Sequence, residues 1–179
     1  ATANTASFAC TVNTASTWSN LTGNNAVLPN RVINGVALDP NYDAVNVATM
    51  KVYAAVGGFN TNTPATPGHL FVGQCGNVAC STVTWTNKTG NLPDMPFNAV
   101  EVNPSNTNQV FVSTMLDFFN TNDITAASPV WNRFQAGMPN TSIQQLVVDR
   151  GPAINPYAST TLGAFTFGRG AFVVQMNLP

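Results

Sequence analysis

The sequence predicts an all-β fold built from repeated four-stranded antiparallel sheets. One pattern occurs three times along the 179 residues. It runs from a tryptophan through a polar turn and an apolar residue followed by proline, and then into a strand. The segments between these patterns are short, rich in β-branched and aromatic residues, and separated by Gly, Pro, Asn and Asp, which is typical of strands and turns. No segment has a helical period with recognisable caps.

Each repeat begins with a tryptophan and closes its first strand on Asp or Asn. The three stretches read WSNLTGNNAVLPNRVINGVALDP from residue 18, WTNKTGNLPDMPFNAVEVNP from residue 85 and WNRFQAGMPNTSIQQLVVD from residue 131. The equivalent positions are Trp18, Trp85 and Trp131, then Pro29, Pro93 and Pro139, and then Asp39, Asn103 and Asp149. A pattern of this length that recurs in register indicates a repeat architecture.

Further strand-like segments follow the first strand of each repeat. The second strands are KVYAAVG, QVFVST and TLGAFTF, and the third are GHLFVG, MLDFFN and GRGAFVVQM. The next tryptophan then lies in or beside a fourth strand, as in STVTW and SPVW. Trp85 and Trp131 are about 46 residues apart, close to the period of a four-stranded propeller blade. The first repeat is longer because GGFNTNTPATPG inserts a loop. We therefore expect about three blades of the β-propeller type.

The repeated tryptophan is expected to pack between blades. A single four-stranded sheet cannot cover both of its faces, whereas sheets stacked radially bury each face on a neighbour. A large aromatic side chain at one fixed place in every repeat suits that packing. The alternative is a platform on which sugar rings stack.

These boundaries predict one propeller-type domain over residues 1–179. Residues 1–18 form the end of a preceding blade or a closing strand, residues 19–85 and 86–131 form two repeats, and residues 132–179 form a third repeat without its last strand. Closed propellers typically use four to eight blades, so three are too few. The chain is then the C-terminal piece of a longer propeller, a part of an assembly of several copies such as a six-bladed ring of two, or a small ring closed by its own first residues. The first two accounts are favoured.

The composition favours an extracellular β protein. Only 7 % of the residues are charged, against about 25 % in an average soluble domain, while roughly a quarter are Asn or Thr. A net charge of −1 without a basic cluster argues against binding of nucleic acid. We expect no membrane insertion, because no apolar run approaches the roughly 18 residues that a spanning helix needs.

Two cysteines are placed to form a small disulfide loop. Cys75 and Cys80 flank a Gly-Asn turn in GQCGNVACS, a spacing that permits a disulfide. The alternative is a pair of reduced cysteines that act as small hydrophobic residues. Cys10 is left over, and it is either buried or paired with a segment or chain elsewhere.

The repeats resemble those of the BNR/Asp-box β-propellers. The resemblance rests on Trp-x-x-x-(Thr)-Gly-x-Leu-Pro, on a strand that closes on Asp/Asn-Pro, and on the segments NPSNTNQVFVS and TFGRGAFV. Such repeats occur in sialidases, xyloglucanase-type glycoside hydrolases, sortilin-like ectodomains and secreted bacterial proteins. The resemblance implies a β-propeller fold, and it implies that Arg169 in FGRGA caps the last blade. The Asp-box itself is degenerate here, since GNVACSTVTW and TNDITAASPVW lack its Asp-x-Gly core.

The sequence offers no clear catalytic set. Glycoside hydrolases use two carboxylates that flank the scissile bond. The acidic residues are Asp39, Asp43, Asp94, Glu101, Asp117, Asp123 and Asp149. Asp39 and Asp149 are interpreted as turn caps, because Asn103 takes their place in the middle repeat. A sialidase would also need clustered arginines, and Arg169 is interpreted as structural.

Cofactor and metal sites are not expected either. His69 is the only histidine, so a histidine-based triad or multi-histidine zinc site cannot form within the chain. The segment DPNYD lacks the glycine and the glutamate of an EF-hand calcium loop. The sequence therefore names no catalytic residue, cofactor or metal ligand.

The function favoured by the sequence is a secreted, non-enzymatic binding or assembly module. Its expected partners are other propeller blades from the same or another chain, and a carbohydrate ligand is a further expectation. One alternative is the C-terminal part of a carbohydrate-active enzyme of the sialidase or xyloglucanase type. A third is a structural subunit of an extracellular filament whose open edges join chain to chain.

Overall fold

The structure is a computed structural model, which describes residues 20–23, 26–43, 45–134, 137–149 and 160–176. Within these ranges the chain forms eleven strands in three antiparallel sheets, with two short 3₁₀ turns at Val47–Thr49 and Asn60–Asn62. The predicted all-β class is therefore confirmed. The described strands do not close into a barrel or a ring.

Each sheet takes its strands in the order of the sequence. The first contains β1 Ile33–Leu38, β2 Lys51–Val56, β3 Leu70–Cys75 and β4 Val83–Asn87. The second contains β5 Phe97–Val102, β6 Val110–Thr114, β7 Phe118–Thr121 and β8 Asn132–Arg133. The third contains β9 Ile143–Asp149, β10 Thr160–Thr166 and β11 Ala171–Met176. This order follows from short connections, which let each strand pair with the next one in the chain.

One predicted strand begins later than the sequence indicates, and another begins directly after its tryptophan, as expected. The segment MLDFFN starts as a turn, because the Thr114 hydroxyl accepts the backbone N–H groups of Leu116 and Asp117, and β7 begins only after this turn. The segment SPVW precedes its strand, because the backbone N–H of Trp131 donates to the Asn91 side chain at 2.6 Å. In both places a side chain accepts a backbone N–H group that the ladder would otherwise use; Thr114 does so within its own turn, and Asn91 does so from 40 positions away.

The three sheets stack face to face with their first strands side by side. β5 contacts β1 and β2 on one side and β9 on the other. One apolar core lies between the first and second sheets, and a second core lies between the second and third. Members of the first are Tyr53, Leu70, Phe97, Val100, Val110, Val112 and Trp131, and members of the second are Ala99, Phe111, Phe118, Ile143, Leu146, Leu162 and Ala164. The second sheet is thus covered on both faces.

A glycine allows the first strands of the first two sheets to approach closely. A Cβ atom at Gly35 would lie 2.8 Å from Cα of Ala99 and 3.0 Å from the carbonyl oxygen of Asn98. Both of those atoms belong to the backbone, which cannot shift without a cost in free energy. Gly35 thus fixes how near β1 lies to β5.

We expect Gly35→Ala to lower the free energy of unfolding by about 1–3 kcal/mol, because it overpacks the contact between two backbones. The matched control is Gly163→Ala in β10, where the nearest atom to an added Cβ is the Val147 carbonyl oxygen at 3.7 Å. That control should change stability by less than about 1 kcal/mol, in the stabilising direction. Denaturant unfolding of both variants measures the difference, and equal effects would contradict the close approach.

Candidate functional site

The predicted disulfide between Cys75 and Cys80 is confirmed. The two Cα atoms are 4.8 Å apart, and the bond closes the turn that follows β3. Cys80 has a φ of 46°, a left-handed conformation that the tight loop requires of it. Cys10 lies outside the described residues.

Both described tryptophans of the repeat are packing residues with a bonded indole nitrogen. Trp131 is 3 % exposed and lies in the core between the first and second sheets. Trp85 is half-buried and packs against a small cluster that contains Leu28 and Phe71, on the other face of the first sheet. Their indole N–H groups donate to backbone carbonyls. Trp18 lies outside the described residues.

The predicted turn caps behave alike in the first two repeats. A carboxylate oxygen of Asp39 accepts the backbone N–H of Asn41 at 2.9 Å, and the amide oxygen of Asn103 accepts that of Ser105 at 2.9 Å. Both side chains thus accept the amide two residues further on, a hydrogen bond that Asp and Asn form equally well. Asp149 ends β9, where it pairs with Thr161.

The three prolines lie just before the first strand of each sheet. Pro29 is buried, Pro93 is partly buried and Pro139 is exposed. The carbonyls of Pro29 and Pro93 each accept the backbone N–H two residues on, at 2.8 and 3.0 Å. Arg169 is exposed in the turn between β10 and β11, between two glycines with positive φ angles.

A polar cluster that the sequence did not predict lies at one end of the first sheet. His69 is fully buried, and its Nε2 is 2.9 Å from Oδ1 of Asp94, while its Nδ1 is 3.3 Å from the carbonyl oxygen of Val56. The same Asp94 oxygen accepts the backbone N–H of Asn60 at 2.8 Å. Arg31 completes the cluster by donating to the carbonyl of Gly68.

The charges of this cluster favour a structural role over acid–base chemistry. The hydrogen bond from the Asn60 backbone holds the pKa of Asp94 below its usual value, so Asp94 is ionised at neutral pH and is not a general acid. Burial lowers the pKa of His69, although its hydrogen bonds to Asp94 and Val56 oppose this change. The ring of His69 also packs on Phe97 at 5.3 Å between centroids, which ties the first sheet to the second. An open polar pocket of about 380 Å³ lies beside Asp94.

The described carboxylates are engaged in separate local contacts. Asp117 pairs with Arg133 at 2.5 Å, and one carboxylate oxygen of Asp123 accepts the backbone N–H of Thr125 at 2.9 Å. Asp43 accepts the backbone N–H of Val45 at 3.0 Å. In the part of the chain that the structure describes, no group of three or more His, Cys, Asp or Glu side chains is placed to hold a metal ion.

The two outer sheets expose apolar side chains. The outer face of the first sheet exposes Val36 and Leu38, and the outer face of the third sheet exposes Val147, Phe165 and Val173. We call these the first open face and the third open face. Contiguous exposed apolar surface of this kind is typical of interaction sites.

An apolar cavity of about 520 Å³ lies between the second and third sheets. Phe118 and Phe134 line one side of it, and Leu162, Ala164 and Phe172 line the other. It opens beside β11, which is the last strand of the third sheet among the described residues.

No protein-family model, curated protein or solved structure matches this chain. The described residues contain no helix that is long and apolar enough to cross a membrane.

His69 should titrate with a pKa below its ordinary value of 6.5, because its ring is buried. Between the lowered folded pKa and the unfolded pKa, the unfolded chain binds more protons. The free energy of unfolding should therefore fall as the pH drops below about 6.5. An NMR titration of this single imidazole measures the pKa directly. A midpoint above 6.5, or stability that rises on mild acidification, would contradict the buried neutral ring.

Proposed function

We propose that this chain is a secreted, non-enzymatic assembly module made of propeller-type blades, which self-associates through its first and third open faces. The proposal rests on one observation. Within the described residues, apolar side chains at equivalent positions of the repeats are buried where a neighbouring sheet is present and exposed where none lies.

The position seven residues after the repeat proline shows this most clearly. Val100 and Leu146 are each 3 % exposed, because the preceding sheet covers them, whereas Val36 is 62 % exposed at the same position of the first repeat. Two residues further on, Val102 is 2 % exposed and Leu38 is 56 % exposed. The first sheet thus presents the same apolar residues that the other two bury.

The face of each sheet that points towards the next sheet shows the same difference in exposure. Eight residues after the proline, Ala37 is 8 % exposed because the second sheet covers it, while Val147 in the third sheet is 41 % exposed. A large exposed apolar side chain loses roughly 1.5–3 kcal/mol of favourable burial relative to a covered one. Docking the third open face of one sheet stack on the first open face of another would recover this energy on both sides.

A polar contact between first strands supports the same docking. The side-chain amide of Asn34 donates to the Phe97 carbonyl at 2.8 Å, and that of Asn98 donates to the Ile143 carbonyl at 3.0 Å. Both asparagines stand five residues after the repeat proline, so each sheet is fixed to the next in the same way. The third repeat has Gln144 at this position, and it is exposed.

Gln144 fits a docking contact in which the two first strands lie slightly further apart than they do within the chain. Gln145 stands where Gly35 and Ala99 stand in the other repeats, and its larger side chain keeps the next backbone further away. Gln144 is one methylene longer than asparagine and reaches correspondingly further. In the single chain its amide donates to the Ser142 hydroxyl at 2.6 Å, and in the assembly it turns to donate to the carbonyl of the first strand that docks next.

The Cys75–Cys80 disulfide supports placing the module outside the cytosol, since disulfides persist in oxidising compartments. The low content of charged residues is consistent with surfaces that associate.

We expect the native protein to have a solution mass of more than one 18.9 kDa copy, and Val36→Lys to shift that mass towards a single copy. The lysine places a charge in the centre of the first open face, where docking would have to desolvate it. Light scattering behind a sizing column measures both proteins.

Val45→Lys is the matched control, because Val45 is 83 % exposed and lies in the loop between β1 and β2 rather than on a strand of either open face. It should leave the mass unchanged. A native protein that stays at one copy at every concentration, or equal masses for the two lysine variants, would overturn the proposed function.

A further inference from the structure

The apolar cavity lies where the repeat places a tryptophan. In the first sheet, Trp85 belongs to β4 and packs on the side that faces away from the second sheet. In the second sheet, Trp131 precedes β8 and packs in the core shared with the first sheet. A tryptophan at the fourth strand of a sheet therefore packs on the face that points towards the preceding sheet. For a tryptophan at the fourth strand of the third sheet, this position is the cavity between the second and third sheets.

The indole nitrogens follow an equally regular rule. The N–H of Trp85 donates to the carbonyl of Leu21 at 2.7 Å, and the N–H of Trp131 donates to the carbonyl of Lys88 at 3.1 Å. Leu21 comes three residues after Trp18, and Lys88 comes three residues after Trp85. The indole N–H of each tryptophan thus donates to the carbonyl of the residue three positions after the previous tryptophan in the chain.

The rule predicts the acceptor for one more tryptophan. The residue three positions beyond Trp131 is Phe134, and its side chain lines the cavity. A cavity of about 520 Å³ between aromatic and aliphatic side chains is large enough for an indole ring. The geometry and the hydrogen-bond rule therefore specify the same ligand, which is a tryptophan side chain that donates to the Phe134 carbonyl.

Trp18 is the tryptophan left for this site. Trp85 packs on the first sheet and is followed in the chain by the second sheet. Trp131 packs on the second sheet and is followed by the third. By this pattern, a tryptophan packs on the sheet that stands before the next sheet of the chain. Trp18 is followed by the first sheet. It therefore belongs with whichever sheet docks on the first open face.

We infer that the cavity binds Trp18 of a second copy of this chain, and that two copies join head to tail into a closed ring of six sheets. This inference rests on the proposed function. The third open face of each copy then meets the first open face of the other, and each seam receives one tryptophan.

The chain's own Trp18 cannot reach the cavity. The carbonyl of Leu21 is fixed to Trp85 on the first sheet, and three extended residues span at most about 10 Å. Stacked sheets lie about 10 Å apart, and the first and second sheets both separate Leu21 from the cavity. A second copy supplies Trp18 without crossing a sheet.

The number of copies follows from the number of sheets in the described residues. Three such sheets per copy give six for two copies and nine for three, and closed propellers have about four to eight blades. Two copies are thus the whole number that closes a ring through a head-to-tail contact.

The test compares full-length variants by sedimentation equilibrium. Wild type should have twice the mass of one copy, and Trp18→Ala should raise the dissociation constant at least tenfold. Thr17→Ala, which alters the neighbouring residue, should associate like wild type. Phe172→Asp, which places a charge in the cavity wall, should weaken association as Trp18→Ala does, and the thermal unfolding of each variant shows that it remains folded.

Mixing the two defective variants tests the head-to-tail order. A Trp18→Ala copy keeps an intact cavity and a Phe172→Asp copy keeps an intact tryptophan, so the mixture should associate more tightly than either variant alone. An oligomeric wild type whose association is unchanged by Trp18→Ala, or whose mass is not that of two copies, would overturn this inference and leave the proposed function standing. A monomeric wild type would overturn both.

Discussion

The burial of apolar residues between facing sheets is the interaction on which this structure depends. A sheet that meets water on one side alternates apolar and polar residues, but β6 is buried at all five positions because its two faces meet two different sheets. β1 and β11 carry apolar residues on both faces as well, and among the described residues one face of each is uncovered. Under the proposed function, a second copy covers these two faces.

Polar contacts fix the order of that stack, because apolar burial alone does not specify direction. The amides of Asn34 and Asn98 point from each first strand to the next, and the indoles of Trp85 and Trp131 point back to the repeat before. These donors are aimed at single carbonyl oxygens, so a reversed or shifted sheet would leave them unpaired at a cost of about 1–3 kcal/mol each. Direction and register thus come from a few hydrogen bonds, while the binding energy comes from the apolar faces.

Much of the fold could be predicted from the sequence because its periodicity is local. Short runs of β-branched and aromatic residues gave the strands, and the aligned tryptophans and prolines gave the sheet boundaries. The contact between His69 and Asp94 could not be predicted, since the two residues are 25 positions apart and belong to different repeats. The equivalence of Asn34, Asn98 and Gln144 was present in the aligned repeats, but its meaning depends on knowing that first strands lie side by side. The cavity could not be predicted, because residues from different strands form it and no local sequence pattern marks it.

Docking should cover the two open faces with neighbouring copies in solution. Radical footprinting of the native protein, read residue by residue by mass spectrometry, measures this coverage because modification rates follow side-chain exposure. We expect Val36 and Val173 to be modified about as slowly as buried Val100, and loop residue Val45 to be modified rapidly. Rates at Val36 and Val173 that match the rate at Val45 would show that both faces are open to water and that no copy docks on them.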